Sequence, residues 1–293
     1  MISFGVIGTG QRAEMYCRIA SLCPDRFRVV GIVGRNKSRM KSLESQFSIP
    51  VYSGVDNLLS AEKCEFVVTA ISRDENASFI KRVVNNSCAV LSETPPGETI
   101  EELNQLFQLS KDGAQIQVAE QFWLQPIHSA RLRLIERGEI GEVINAQISI
   151  AREYHNISLI RKYLQIGYEP VLITATSSQS FIFASNKQKE YSYVNTYTDL
   201  GWFDFGKKFA QYEFTPQQYL SPIRSKRVIV RGDKGEIENN CVRGISDSKY
   251  FELTLQRCEY GTHGEPDSLY LDSIKYGKEV IYKKCTSASS FKR

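Results

Sequence analysis

The sequence predicts an α/β fold in two parts. The first is a doubly wound parallel sheet; the second is an α+β region with a large, mostly antiparallel sheet. Three observations predict it. Up to Ala119, short apolar β-rich runs alternate with helix-like stretches, the pattern of βαβ units with right-handed crossovers. Beyond Val143 the β-rich runs follow one another with turn residues and few helices between them. The length, 293 residues, suits two domains at about 150 residues each. The change of pattern near Glu120–Pro126 places the domains at 1–121 and 122–293.

In order, Ile2–Ile7 reads as a strand and Ala13–Leu22 as a helix. Phe27–Val33 is the second strand, and Ser38–Phe47 a helix. Phe66–Ile71 is a strand buried on both faces, followed by a helix over Asn76–Asn85. Ala89–Leu91, a helix over Ile100–Leu109 and a strand over Gln115–Ala119 close the first part. In the second part Val143–Ile150 alternates like a half-buried strand and Ser158–Leu164 is helical. The strand-like runs are then Ser177–Ser185, Glu190–Thr196, Trp202–Phe214, Arg227–Gly232, Phe251–Gln256 and Lys278–Lys283. The tail Cys285–Arg293 is polar and expected to fray.

Composition excludes several classes. With 42% hydrophobic and 24% charged residues the chain is neither disordered nor fibrous. The 37 cations against 33 anions do not make a nucleic-acid footprint, and no basic face is periodic. No apolar run reaches the roughly 18 residues of a membrane span. The N-terminus runs straight into a strand, so no signal peptide is expected. The seven cysteines have no C-x-x-C pair and there are three histidines, so neither a zinc site nor a disulfide framework is expected. The cysteines read as small buried hydrophobes in a reducing, cytoplasmic setting.

Gly8-Thr9-Gly10-Gln11-Arg12-Ala13 lies between the first strand and the first helix. It is G-x-G-x-x-A, a variant of the dinucleotide-binding fingerprint of Rossmann-type domains. Gly8 serves the tight turn, Gly10 the close approach of a pyrophosphate, and Ala13 the close packing of helix on strand. The helix start offers free N–H groups to phosphates. The alternative is a glycine-rich turn with no ligand.

The second strand ends Val33-Gly34-Arg35-Asn36-Lys37-Ser38. NAD proteins place a carboxylate there for the ribose hydroxyls, but Gly34 stands in its place. Without that charge, Arg35 can meet a 2′-phosphate, which favours NADP over NAD. The alternatives are NAD itself, or a solvated basic loop.

These residues resemble the glucose–fructose oxidoreductase / inositol dehydrogenase (Gfo/Idh/MocA) family. The resemblance runs through Gly5-Val6-Ile7-Gly8-Thr9-Gly10, Cys64–Ala70 and Ala89-Val90-Leu91-Ser92-Glu93-Thr94-Pro95, the last at the family's Glu-Lys-Pro position. It continues in Arg137–Val143, the entry to the second domain, and in Arg231–Ile237, a late β-turn. It implies a nicotinamide cofactor on the first domain. It also implies oxidation or reduction of a hydroxyl- or carbonyl-bearing carbon on a small polar, sugar-like substrate. A homodimer through the broad second sheet is implied too, in keeping with the aromatic strands Ser177–Phe214.

The chain departs from that family at several positions. The Glu-Lys-Pro lysine is Thr94, which cannot titrate near neutral pH. His155 falls on the family's catalytic histidine, while Ala151 and Ser158 stand where aspartates are usual. The glycine-rich loop before that histidine has no counterpart; the sequence stops shortly after Lys278–Lys283, so the family's closing helix is either dispensed with or cut off. Gln121-Phe122-Trp123 replaces its Asn-x-Arg stretch. An imidazole exchanges protons near neutral pH, and Tyr154 beside it is a second donor. The alternative for His155 is a structural residue at a helix start. Arg152 and Glu153 are further candidates for contacting substrate.

The candidate catalytic residues are thus His155, Tyr154 and Thr94. The candidate cofactor contacts are Gly8, Thr9, Gly10, Gln11, Arg12, Gly34, Arg35, Ala70, Ser72, Asn76, Glu93 and Gln121. Three functions remain open. The first is an NAD(P)-dependent oxidoreductase. The second is a non-catalytic NADP(H)-binding scaffold or sensor. The third is a reductase of a conjugated substrate, similar to the biliverdin reductases, with the aromatics around Trp202–Phe214 as either ligand platform or sheet core.

Overall fold

The computed structural model describes residues 1–185, 191–221, 223–260 and 270–283. Its contacts divide the chain into a first unit over Met1–Glu120 and a second that starts at Gln121. The tail read as frayed lies outside the described residues.

The first unit runs β1 (Ile2–Ile7), α1 (Gln11–Leu22), β2 (Phe27–Val33), α2 (Lys37–Phe47), β3 (Val51–Tyr52), α3 (Val55–Ala61), β4 (Phe66–Thr69), α4 (Arg73–Asn85), β5 (Ala89–Ser92), α5 (Ile100–Lys111) and β6 (Ile116–Val118). Its six strands are all parallel, in the order β3-β2-β1-β4-β5-β6. This is the Rossmann order, and it reverses between β1 and β4, the crevice where such sheets bind ligands. Val6, Ile32, Val67 and Val68 are fully buried because helices cover both faces. Local chemistry sets the helix starts. Asn36 caps α2 by accepting from the Arg39 N–H at 3.0 Å. Thr99 and Glu102 form a capping box at α5.

The second unit opens with a 3-10 turn at Phe122–Leu124, then α6 (Pro126–Glu136), β7 (Val143–Ser149), α7 (Tyr154–Leu164), β8 (Leu172–Ser185), β9 (Tyr191–Asp204), β10 (Phe209–Phe214) and α8 (Gln217–Leu220). The strands β11 (Arg227–Gly232), β12 (Gly235–Glu238), β13 (Cys241–Ser246), β14 (Lys249–Tyr260), β15 (Tyr270–Tyr276) and β16 (Glu279–Lys283) follow. All ten strands form one sheet, ordered β16-β15-β14-β13-β12-β11-β7-β10-β9-β8. Every pairing is antiparallel except β7 with β10. Helices α6 and α7 bury Ala130, Leu134, Leu159, Ile160 and Tyr163 in one core with Ala146 and Ile148 of β7, Ala210 of β10 and Val228 and Val230 of β11.

Three expectations change. The run Trp202–Phe214 is two strands, because Gly206 adopts φ +84° and its N–H donates to Asp204 Oδ1 at 2.7 Å, folding the chain back. Helix α6 was not foreseen. Its His128 and Arg131 are buried, so the helix lacks a clean polar face. Of the six described cysteines only Cys17 is fully buried; Cys23, Cys64, Cys88, Cys241 and Cys258 are half-buried, and all six are free thiols.

Candidate functional site

The phosphate loop follows directly from β1. The Gly8 N–H donates to the Val33 carbonyl at 2.8 Å, so the turn is tied to the end of β2. Gly8 sits at φ +130°, and a Cβ there would meet the Ala70 carbonyl oxygen at 2.2 Å. Only glycine fits. Gly10 is different. Its backbone is extended, and a Cβ would meet nothing within 4 Å. The loop therefore leaves open space in front of the first turn of α1. The Gly10 N-cap makes no side-chain hydrogen bond to that turn, and a helix N-terminus favours an anion. Ala13 is fully buried against Val6 and Ile32, which lets α1 lie close on the sheet.

A cleft of about 470 Å³ opens beside this loop. Gly8, Thr9, Gly10, Gly34, Arg35, Ala70 and Ser72 of the sequence-derived candidates line it together. Val55 and Phe79 give it an apolar wall, a signal that the sequence analysis did not use. Gly34 is sterically constrained as well. A Cβ there would meet the Thr9 methyl at 2.5 Å, so a larger side chain requires the Thr9 side chain to shift. Arg35 is exposed and pairs with Glu75 at 2.8 Å, while Ser72 Oγ donates to the other oxygen of Glu75 at 3.4 Å. Glu75, absent from the sequence candidates, thus places a carboxylate at the mouth of the cleft.

The remaining candidates of this unit have other positions. Gln11 opens α1 and is exposed, outside the cleft lining. Arg12 and Tyr16 converge on buried Glu93: Arg12 Nε lies 3.4 Å from one oxygen, and Tyr16 Oη donates to the other at 2.8 Å. Burial, followed by the hydrogen bond and charge of Glu93, holds the Tyr16 hydroxyl well above the ordinary tyrosine range. Asn76 is buried under the turn after β5. Its amide nitrogen donates to Ser92 Oγ at 3.0 Å, the Glu93 carbonyl at 3.3 Å and the Pro95 carbonyl at 3.0 Å. It shapes the turn that presents half-buried Thr94, whose bond to Pro95 is cis.

In the second unit β7 reaches α7 through a short connection that replaces a longer loop. Three of its backbone donors are satisfied by side chains. The Ala151 N–H donates to Asn156 Oδ1 at 2.8 Å, Arg152 to Tyr219 Oη at 2.9 Å and Glu153 to Tyr212 Oη at 3.1 Å. Glu153 takes φ +42°, a conformation costly for a residue with a Cβ, and these bonds hold it there. His155 and Tyr154 stand at the start of α7, both half-buried, with ring centroids 4.5 Å apart. Phe122 lies 4.6 Å from His155 on its other side. Half-buried Gln121 precedes that ring, and its carbonyl accepts from the Leu124 N–H at 2.9 Å. Ala151 is fully buried, so the position where an aspartate is usual belongs to the packing here. Lys162 Nζ sits 4.4 Å over Trp123.

A second histidine is buried below. His128 of α6 accepts at Nδ1 from Tyr163 Oη at 2.6 Å and from Arg131 Nη1 at 3.1 Å. Burial first, then the charges of Arg131 and Lys226, push its pKa down to about 3. It is neutral at physiological pH and is part of the packing between α6 and α7.

Residues 2–120 match the model of the oxidoreductase family with an NAD-binding Rossmann fold, Gfo/Idh/MocA. The match covers less than half of the chain. Two curated relatives carry matching segments. One, an uncharacterized oxidoreductase of Schizosaccharomyces pombe, is 25% identical over 148 residues, 49% of this chain and 40% of the relative. The other, an uncharacterized oxidoreductase of Rhizobium meliloti, is 27% identical over 145 residues, 49% of this chain and 43% of its own. The chain thus covers less than half the length of these relatives. Solved structures extend the likeness of fold to both units. Biliverdin reductase of Synechocystis sp. PCC 6803, in complex with biliverdin and NADP+, has a TM-score of 0.61 at 16% identity over 87% of this chain and 85% of that one. An oxidoreductase of Agrobacterium radiobacter, in complex with NAD+, L-tartaric acid and magnesium, has a TM-score of 0.65 at 14% identity over 99% of this chain and 82% of that one. Among the described residues no helix is long and apolar enough to cross a membrane.

Proposed function

We propose that this protein is an NADP-preferring oxidoreductase. A bound nicotinamide would supply or accept a hydride at a hydroxyl- or carbonyl-bearing carbon of a small polar substrate. The observation that carries the reading is the pair Gly8 and Gly10. Gly8 makes the turn possible, and Gly10 leaves the space a pyrophosphate needs in front of the first turn of α1. Gly34, Arg35 and Ser72 would surround the adenosine ribose. The absence of a carboxylate at Gly34 and the guanidinium of Arg35 support NADP over NAD.

His155, aided by Tyr154, would give the proton to the carbonyl oxygen as the carbon takes hydride, or remove it in the opposite direction. Thr94 would donate a hydrogen bond without titrating. The open face of the second sheet presents half-exposed Leu200 and Trp202, the latter stacked on Phe209 at 4.8 Å, and this face supports a homodimer. Six free thiols support a reducing, cytoplasmic setting. The test is a fluorescence titration with NADPH and NADH side by side. NADPH is expected to bind at least about 10-fold tighter, a difference of about 1.4 kcal/mol. No binding of either cofactor overturns the oxidoreductase reading, and equal binding removes Arg35 from the cofactor site.

A further inference from the structure

The second unit holds a cavity of about 850 Å³ between the outer flank of α7 and strands β8, β9 and β10. Its volume suits a drug-sized molecule rather than a water cluster. Tyr154, Ile157 and Arg161 of α7 form one side. Phe203 and Tyr212 form the other, packed at their far edges into the core of the unit.

Two carboxylates and one guanidinium line this cavity. Glu153 is paired with Arg152 at 2.9 Å, and Asp199 accepts from Ser177 Oγ at 2.7 Å. Arg161 is different. Its Nη2 is buried and has no hydrogen-bond partner. Its guanidinium lies 5.0 Å from the centre of the Tyr168 ring, a contact that orients the fork but supplies no acceptor. A buried charged donor without an acceptor is costly, and a planar guanidinium is matched by a carboxylate.

We propose that this cavity binds an elongated, unsaturated or aromatic carboxylate, with its carboxylate on Arg161 and its far end beside Tyr154. Arg161 follows Tyr154 by seven residues, two turns of α7, or about 10.5 Å along the axis. A ligand that touches both is thus a two-ring-sized molecule, too long for a simple hydroxy acid. Ile157, Phe203 and Tyr212 along that span favour a flat apolar body. A monoanionic carboxylate fits better than a phosphate dianion, because Asp199 and Glu153 line the same walls. As the substrate pocket of an oxidoreductase it rests on the nicotinamide reading proposed above and puts a longer, flatter substrate in place of the small polar one; as a binding site it stands on the second unit alone.

The test uses isothermal titration calorimetry on the full chain with biphenyl-4-carboxylate and its uncharged amide. The acid is expected to bind at least about 10-fold tighter than the amide. Arg161→Gln should remove that difference while leaving the amide unchanged, and Arg161→Lys should restore part of it. Ser158→Trp, which fills the cavity and leaves Arg161 in place, should abolish binding of both. Equal binding of acid and amide, an unaffected Arg161→Gln, or no binding at all overturns the proposal. An NADPH titration of the same variants reads the first unit and should not move. Its failure in the parent protein would sink the oxidoreductase reading and leave the carboxylate result standing.

Discussion

The two glycines of the phosphate loop should respond to alanine in opposite ways. At Gly8 the backbone is at φ +130°, where a residue with a Cβ is strained by about 1–3 kcal/mol. The added Cβ would also stand 2.2 Å from the Ala70 carbonyl oxygen, so two β-strand ends must separate by about 1 Å. Strain and lost packing together put Gly8→Ala at about 3 kcal/mol or more, a fall in melting temperature of about 10 °C for a unit of this size. At Gly10 the backbone is at φ −79° and a Cβ touches nothing. Gly10→Ala should leave the melting temperature unchanged, or raise it through lost chain entropy in the unfolded state. Its cost falls on the ligand: the methyl occupies the space in front of α1, and NADPH affinity should drop at least about 10-fold. Differential scanning fluorimetry and an NADPH titration on both variants measure the two effects. A Gly10→Ala protein that keeps full NADPH affinity would refute the reasoning, because the pyrophosphate would then lie elsewhere.

Arg35→Ala should weaken NADPH about 10-fold and leave NADH unchanged, whereas Glu75→Gln, which releases Arg35 from its ion pair, should tighten NADPH; parallel titrations with the two cofactors decide both. In a screen of carbonyl compounds followed by loss of NADPH absorbance, His155→Ala should lower the rate of any accepted substrate about 100-fold while NADPH binding stays intact. Neutral His128 is held at a pKa of about 3 in the fold against an ordinary value of 6.5, so the unfolded chain binds the extra proton between those values. Stability is full above about pH 6.5 and falls as the medium is acidified, by about 2 kcal/mol between pH 7.5 and pH 5. Urea midpoints at the two pH values should show that loss, and His128→Gln should lack it.

What was legible in the sequence was what local chemistry decides. The phosphate loop could be read because a turn, a close approach and a tight packing contact each require a small residue, and Gly8, Gly10 and Ala13 follow an apolar run directly. The parallel sheet could be read because its strands are apolar on both faces. Helix α6 was hidden although its ends carry signals, Pro126 in the first turn and Arg137-Gly138 after the last. The reason is that His128 and Arg131 are buried through bonds to Tyr163 and to the Asn239 carbonyl, partners 35 and 108 residues away. The clamp by Asn76 was illegible for the same reason: its acceptors at Ser92, Glu93 and Pro95 are brought to it by the pairing of β4 with β5.

The departures from the family's residues take on a physical meaning beside these contacts. Where a longer glycine-rich loop is usual, the chain crosses from β7 to α7 in a few residues, and the backbone donors of Ala151, Arg152 and Glu153 are taken up by Asn156, Tyr219 and Tyr212. Two of those acceptors are tyrosines, half-buried Tyr212 on β10 and exposed Tyr219 on α8, so the short connection is fixed by side chains rather than by glycine turns. The same Tyr212 forms the wall opposite Tyr154 and Arg161. Glu153 and Tyr212, which hold this short connection, thus also line the cavity in which the carboxylate site is proposed.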